Sequence, residues 1–354
     1  MEAVYMAKTT ITTSDATTKK AWEEKLYRDT VKESYFSKFM GTSANSLCQT
    51  NTKLAKSKGD NITFALRKRL EGAGVTSGTT LEGNEEALAH SNYNVSLEQY
   101  RHAVRDAGEL DRQRPAWDLN MESRDAIKEW GTEKIDSLCF QTILEDPTRV
   151  FYRTSGGNAT TGTAATAKSA LTATDSKLTP SLISYAKAWA RTGGNRSQTP
   201  IRPIKINGKM YYVLLIHPDS GYDLKTDATW TQAQREARER SKENPIFSGA
   251  LGVWDGVVIH EHEGYAEKPG GSLIATDAGS GSDVPWTKCV LMGQQSLLWA
   301  EGKRGKTVTE DFDYGNEIGH AWEIICGVAK PKFDSLDYGS VGMYVSRTQI
   351  SDAA

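Results

Sequence analysis

The sequence predicts an α+β fold, and three observations carry that expectation. Short apolar runs of period two are bounded by turn residues, four stretches have helical spacing, and the two kinds of segment do not alternate regularly as they would in a parallel α/β sheet.

Residues 1–60 are rich in Thr, Ser, Lys and Asn. A helical stretch is expected over 18–39, where Trp22, Leu26 and Val31 lie near i, i+4 spacing. Large apolar residues are too few for a domain, so 1–60 reads as an N-terminal arm. Residues 62–67 and 93–98 each alternate apolar with polar or small side chains, the pattern of two strands. Between them lie Gly72, Gly74, Gly78 and Gly83, with Glu82, Glu85 and Glu86 toward the far side. A two-stranded hairpin is marginal in water unless another surface covers its apolar face. So long a connection is usually functional or disordered. Residues 61–100 are therefore expected to form a β-arm that needs a neighbour, which points to assembly rather than catalysis.

A charged connection is expected over 104–115, then a long helix over 118–145 with Asp118 as N-cap and Glu122 in its first turn. Leu119, Ile127, Trp130 and Leu138 share one broad face, and Ile135, Cys139 and Ile143 begin a second. Asp146-Pro147 ends the helix, which should exceed ~35 Å at 1.5 Å per residue. The Gly, Ala and Thr of 154–176 read as a surface loop. Thr179 as N-cap, Pro180 in the first turn and Gly193-Gly194 as the stop punctuate the next helix, whose buried face is Leu182, Tyr185, Ala186 and Trp189.

Asn207-Gly208 between the apolar runs 201–206 and 210–216 predicts a two-residue hairpin, since type I′ geometry needs positive φ at both central positions. Residues 228–240 look helical and charged. Strands are expected over 252–263 and 289–292 with a Gly/Ser-rich loop, 264–283, between them; a last strand pair is expected at 322–328 and 342–345.

With 354 residues and 38% hydrophobic content the chain can bury a substantial core, as one large domain or two smaller ones. A formal net charge of -2 argues against a dedicated nucleic-acid binder. No run approaches the ~18 apolar residues of a membrane span, and the polar N-terminus lacks the apolar core of a signal peptide. Cys48, Cys139, Cys289 and Cys326 are far apart and form no CxxC pair, so they read as reduced thiols of a soluble protein made in a cytoplasm.

Candidate chemical sites are few. His260 and His262 would project from one face of a strand, a spacing that could hold a metal, but the motif is not HExxH and supplies no third ligand. Two strand-surface histidines are the better reading. His217-Pro218-Asp219 follows an apolar strand, yet Pro218 also ends that strand and Asp219 begins a turn through Gly221. Arg304-Gly305-Lys306-Thr307 lacks the upstream glycine of a phosphate-binding loop and reads as a solvated basic turn. No catalytic residue, cofactor or metal ligand is assigned. Arg67, Lys68 and Arg69 near the start of the arm oppose Glu82, Glu85 and Glu86 near its end. They are either ordinary solvated charge, worth ~0–1 kcal/mol per pair, or inter-subunit contacts that set register between identical copies.

Together, Leu81-Glu82-Gly83-Asn84-Glu85-Glu86, Gln99-Tyr100-Arg101, Gln113-Arg114 and the long helix through Trp130 resemble the N-four-type major capsid proteins of tailed bacteriophages. The stretch 244–252, then Trp254-Asp255-Gly256-Val257, Asp313-Tyr314-Gly315-Asn316 and Gly327-Val328-Ala329-Lys330 with Phe333 are similar to further stretches of that family. The resemblance runs from about residue 60 to the end, and the order and number of the matches make it specific. It implies a Hong-Kong-97-like capsid fold: an N-terminal arm (1–60), an extended β-hairpin E-loop (61–100) and a spine helix (118–145). It further implies a peripheral domain, mainly 101–178 and 287–354, and an axial domain, mainly 179–286. The segments 154–176 and 264–283 carry no family feature.

The implied function is that of a major capsid protein assembling into the hexamers and pentamers of an icosahedral head around dsDNA, in the virion, after synthesis in the bacterial host cytoplasm. Its implied partners are itself, a portal protein, scaffolding or decoration proteins and, non-specifically, packaged DNA; no membrane is involved. Near-neutral charge suits a wall that confines DNA without gripping it. The short arm predicts no fused scaffolding domain. An encapsulin-like compartment shell of the same fold, and more distantly a metal-dependent enzyme using His260 and His262, are the alternatives.

Overall fold

The structure, a computed structural model, describes residues 34–52, 59–67, 70, 72–88, 90–114, 118–196, 198–236, 249–262 and 274–348. A 3-10 turn, Tyr35–Phe39, precedes β1 (Met40–Gly41), β2 (Cys48–Asn51), β3 (Asn61–Arg67), β4 (His90–Ser96) and β5 (Glu98–Arg105). Next come α1 (Glu109–Gln113), α2 (Leu119–Leu144), β6 (Val150–Arg153), β7 (Ala159–Gly162), α3 (Ala164–Ala170) and α4 (Pro180–Arg196). They are followed by β8 (Ile204–Ile206), β9 (Lys209–Ile216), α5 (Pro218–Thr226), α6 (Ala228–Glu236), β10 (Gly252–Trp254) and β11 (Val257–Glu261). The chain closes with β12 (Ile274–Ala278), β13 (Val284–Met292), β14 (Leu297–Phe312), β15 (Glu317–Ala329), β16 (Lys332–Phe333), β17 (Leu336–Asp337) and β18 (Ser340–Ser346).

The chain divides into two compact units. The larger comprises Lys38–Leu97, Asp136–Gly302 and Gly327 onward; the smaller comprises Glu98–Ile135 and Lys303–Cys326 with the described residues up to Ser37.

The larger unit is built on a nine-stranded sheet whose main path is β10-β11-β9-β13-β18-β6-β7. Strand β9 is parallel to β11 and antiparallel to β13. Every residue from Tyr212 to Ile216 is buried, which explains a continuous apolar run rather than alternation. One core forms where Leu182, Ile183, Ala186 and Ala190 of α4 meet Tyr212, Leu214 and Ile216 of β9 and Ile259 of β11. A second core joins Ala167 and Leu171 to Tyr152, Trp286 and Tyr344, with the last two rings stacked at 5.0 Å.

The smaller unit holds the antiparallel pair of β5 and β15, registered from Gly319↔Arg105 to Cys326↔Glu98, with β14 next to β15. Trp130 packs edge-on against Trp322 at 5.7 Å and lies 4.7 Å from the His102 ring. Asp106 ties the strand end down, accepting from the Ile318 amide at 2.6 Å and pairing with Arg112 at 2.6 Å.

Many expected elements are present. The long helix is α2, with Asp118 Oδ1 accepting from the Asn120 amide at 2.9 Å; its 26 residues span ~39 Å. The Asn207-Gly208 turn has φ of 48° and 77° and joins Ile206↔Lys209. Helix α4 starts at Pro180 as expected but runs to Arg196, past the expected stop at Gly193 and Gly194, which turn left-handed at φ of 63° and 60° within its last turn.

Other expectations are corrected. Residues 154–176 are not a loop: they contain β7 and α3, with Thr163 Oγ1 capping α3 through the Thr166 amide at 3.2 Å. Small residues there reflect close approach, since Ala167 is fully buried. The strand expected over 252–263 is a hairpin, because Asp255-Gly256, at φ of 45° and 74°, forms a second turn of the Asn-Gly type between Trp254 and Val257. The loop expected over 264–283 contains β12, which pairs with β13. The stretches 322–328 and 342–345 do not pair: β15 adjoins β5 and β14, whereas β18 lies between β13 and β6. Arg304 to Thr307 is mid-strand in β14, and the connection 104–115 contains the end of β5 and α1. The helix expected over 18–39 falls outside the described residues up to 33, and its end is the 3-10 turn. The part of the 228–240 helix beyond Glu236 also lies outside them.

Candidate functional site

The β-arm is where sequence and structure together point to function. Strands β3 and β4 pair antiparallel over seven residues, from Asn61↔Ser96 to Arg67↔His90. Alternation sends Ile62, Phe64 and Val95 to one face, where they pack on Leu298 and Ala300 of β14 with Tyr93, Leu97 and Ala329 around them. Thr63 Oγ1 donates to Asn94 Oδ1 at 2.7 Å on the outer face. The base of the hairpin therefore has its cover within the subunit. That corrects the expectation that a neighbour must supply it: the covering strands lie more than two hundred residues further along the chain, so no local pattern announces them.

The connection is different. Residues 72–88 form an exposed strap with no strand or helix of its own, and Leu70, Leu81 and Leu88 are 54%, 62% and 51% exposed. Local hydrogen bonds shape it. The Thr79 amide donates to Thr76 O at 2.9 Å, and the Asn84 amide to Leu81 O at 3.0 Å. Glu86 Oε2 accepts from the Gly72 amide at 2.7 Å, and Glu85 Oε2 from the Gly83 amide at 2.8 Å. Gly83 sits at φ of 85°, a left-handed conformation that a side chain would strain.

Of the six candidate contact residues, Glu82, Glu85 and Glu86 thus lie together on the strap, two of them closing its backbone. Arg67 is the last residue of β3, and Lys68 and Arg69 lie outside the described residues. The exposed leucines were missed by sequence reading; three leucines flanking glycine and glutamate in a long polar connection were the available signal.

The remaining candidates are structural. His260 is fully buried rather than on the strand surface, with Phe39 edge-on at 5.3 Å and Lys38 Nζ 3.4 Å from its Nδ1. Burial lowers the Lys38 pKa to about 8, partly offset by Asp136. His262 lies against the Phe140 ring at 4.8 Å. Among the described residues no group of three or more His, Cys, Asp or Glu is arranged to hold a metal. Asp219 to Gly221 form the start of a helix rather than a loop turn: His217 Nδ1 caps α5, accepting from the Asp219 amide at 3.2 Å, with Pro218 in the first turn.

Two buried ion networks also escaped the sequence reading. Lys330 Nζ lies 3.3 Å from Asp337 Oδ2 and donates to the carbonyls of Glu145 and Asp146, just past the end of α2. Asp337 also accepts from the Thr148 amide at 2.9 Å and donates its own amide to Thr148 Oγ1 at 2.6 Å. Elsewhere Asp219 pairs with Arg347, while Asp223 accepts from the Thr348 amide at 2.8 Å and pairs with Lys177 at 3.1 Å. These contacts staple the segment after β18 to α5.

The larger unit thus has a packed hairpin base carrying an exposed strap, with His217 and His260 buried in its interior. The family described as phage capsid protein matches residues 10–348, so this chain belongs to the phage capsid protein family. It is 29% identical to the major capsid protein of Pseudomonas phage KPP25, over 93% of this chain and 95% of that protein. It resembles the capsid of Ralstonia phage GP4, with a TM-score of 0.77, 28% identity and coverage of 98% of this chain and 100% of that one. The Cyanophage Pam1 capsid asymmetric unit has a TM-score of 0.74 at 22% identity, covering 90% and 93%. The fold is the Hong-Kong-97-like capsid fold implied by the sequence resemblance. The protein is a major capsid protein, a structural component of the virion that associates with itself into a shell, and is not an enzyme. No helix among the described residues is long and apolar enough to cross a membrane.

Proposed function

We propose that this subunit builds hexamers and pentamers of an icosahedral head enclosing dsDNA, and that residues 61–100 act as the E-loop joining one copy to the next. The observation that carries this reading is the contrast within the arm. Ile62 and Phe64 are 5% and 4% exposed, whereas Leu81 and Leu88 are 62% and 51% exposed. Exposed leucines at the end of an anchored hairpin gain free energy once a neighbour removes them from water, at ~25 cal/mol per Å² of apolar surface. A shell repeats each such contact, so a modest interface accumulates into a stable assembly.

In the same reading α2 is the spine helix, residues 101–178 and 287–354 are mainly peripheral domain, and 179–286 are mainly axial domain. The N-four-type branch, synthesis in the bacterial host cytoplasm, and a portal with scaffolding or decoration partners belong to this proposal. Its test replaces residues 72–88 by a short glycine-serine linker. The variant is expected to keep the unassembled subunit's urea midpoint and to form no closed shells by electron microscopy. Normal shells from that variant would remove the strap from assembly.

A further inference from the structure

The larger unit contains a cleft of about 680 Å³ between the end of α4, the segment leading into β8, and β9. Arg191 of α4, Arg202 just before β8 and Lys205 within β8 line it, and among the described residues no acidic side chain does. Its remaining wall is largely apolar: Ile201 is buried, Tyr212 forms part of the lining, and Met210 is 52% exposed. The frame is held in place. Tyr212 Oη donates to Ile201 O at 2.8 Å, and Gln294 Nε2 donates to Pro203 O at 2.8 Å and Asn45 Oδ1 at 2.7 Å. Asn45 in turn bonds both backbone groups of Lys205 at 3.0 Å. The three cations therefore project from a preorganised backbone, which lowers the ordering cost of binding.

The occupant that fits is a short peptide with carboxylates between apolar side chains. The strap offers that chemistry: Leu81 and Leu88 are exposed and bracket Glu82, Glu85 and Glu86. Glu85 and Glu86 use Oε2 to hold the strap's backbone, and an ionised carboxylate can accept several hydrogen bonds at once. We propose that this cleft receives residues 81–88 of a second copy of the chain, with Arg191, Arg202 and Lys205 meeting the three glutamates. This inference rests on the strap reading above and adds its acceptor. Duplex DNA is the poorer match, because the cleft is a concavity with an apolar floor rather than an extended basic track.

The test places a photo-crosslinking residue in the full chain, Leu88→p-benzoylphenylalanine, and assembles shells from a mixture of isotopically light and heavy copies. The expected crosslink joins residue 88 of one copy to the stretch 191–212 of another. A crosslink between copies at another place overturns the cleft and leaves the strap reading standing. No crosslink between copies, or one within a single copy, overturns both.

Charge reversal gives an independent arm. R202E/K205E is expected to lower shell yield roughly tenfold, with partial recovery on adding E82K/E85K. The neutral pair R202Q/K205Q reads the same way should the reversed pair fail to fold. Normal shells that retain less DNA would assign the cleft to phosphate and overturn the proposal.

Discussion

At the scale of single residues, buried charges depend on specific partners. Lys330 is 6% exposed, Asp337 is fully buried, and burial holds the Lys330 pKa below its ordinary value despite the nearby carboxylate. Removing one member of such a pair leaves the other uncompensated, which typically costs ~3–5 kcal/mol. Asp337→Ala should therefore destabilise the unassembled subunit by an amount in that range, read as a lower urea midpoint at unchanged slope. The double variant D337A/K330M should recover much of the loss, because an isolated buried charge is the costly species. Equal losses in the single and double variants would mean that the cost lies in the lost hydrogen bond from the Thr148 amide instead.

At the scale of elements, turn chemistry decides where helices and strands stop. Gly193 has φ of 63°, and a Cβ there would lie 2.0 Å from Gln198 O, whose residue returns its amide to Gly193 O at 2.9 Å. Gly193→Ala combines a left-handed strain with a backbone clash, so a loss of about 2 kcal/mol or more is expected in chemical denaturation. Gly78 on the strap has nothing within 4 Å of the corresponding position and no left-handed φ, so Gly78→Ala should stay within ~0.5 kcal/mol of the parent. The contrast separates a glycine required by geometry from one that is tolerated in a polar connection.

At the scale of the whole molecule, His217 in the larger unit and His320 in the smaller are buried histidines whose protonation opposes folding. Burial lowers the pKa of His217 below 6.5, with Arg347 acting in the same sense and Asp219 and Glu261 against it. Burial likewise lowers His320, together with Arg124 and against Asp106 and Asp311. The unfolded chain takes up these protons near the ordinary value of 6.5, and the native chain only at lower pH. Stability is then full above that value and falls as the pH drops toward the folded pKa values. Urea midpoints of the unassembled subunit should decrease between about pH 7 and pH 5. His217→Asn, which retains an N-capping acceptor without titrating, should flatten part of that slope. An unchanged slope would assign the acid sensitivity to His320 and the carboxylates.

Elements whose causes are local were legible in the chain. Asn207-Gly208 sets its hairpin, Asp118 starts α2, and Pro180 starts α4, because caps and left-handed turns depend on residues a few positions apart. The resemblance carried by scattered motifs supplied the fold and the function. Composition misled where small residues meant close packing, as at Ala167 in α3, and an Asp-Gly turn inside an apolar run passed unread.

Tertiary structure alone decided which surfaces cover which. Leu298 and Ala300 cover the base of the arm, β15 and β18 belong to different sheets, and His260 lies in the core. The charge networks of Lys330 and Asp219 and the basic cleft were decided there too. All of these join residues far apart in sequence, and periodicity reports that a face is apolar without naming what it meets. The strap stands at the boundary: its glycines and glutamates are legible in the chain, but only the packed base shows which part of the arm is left exposed.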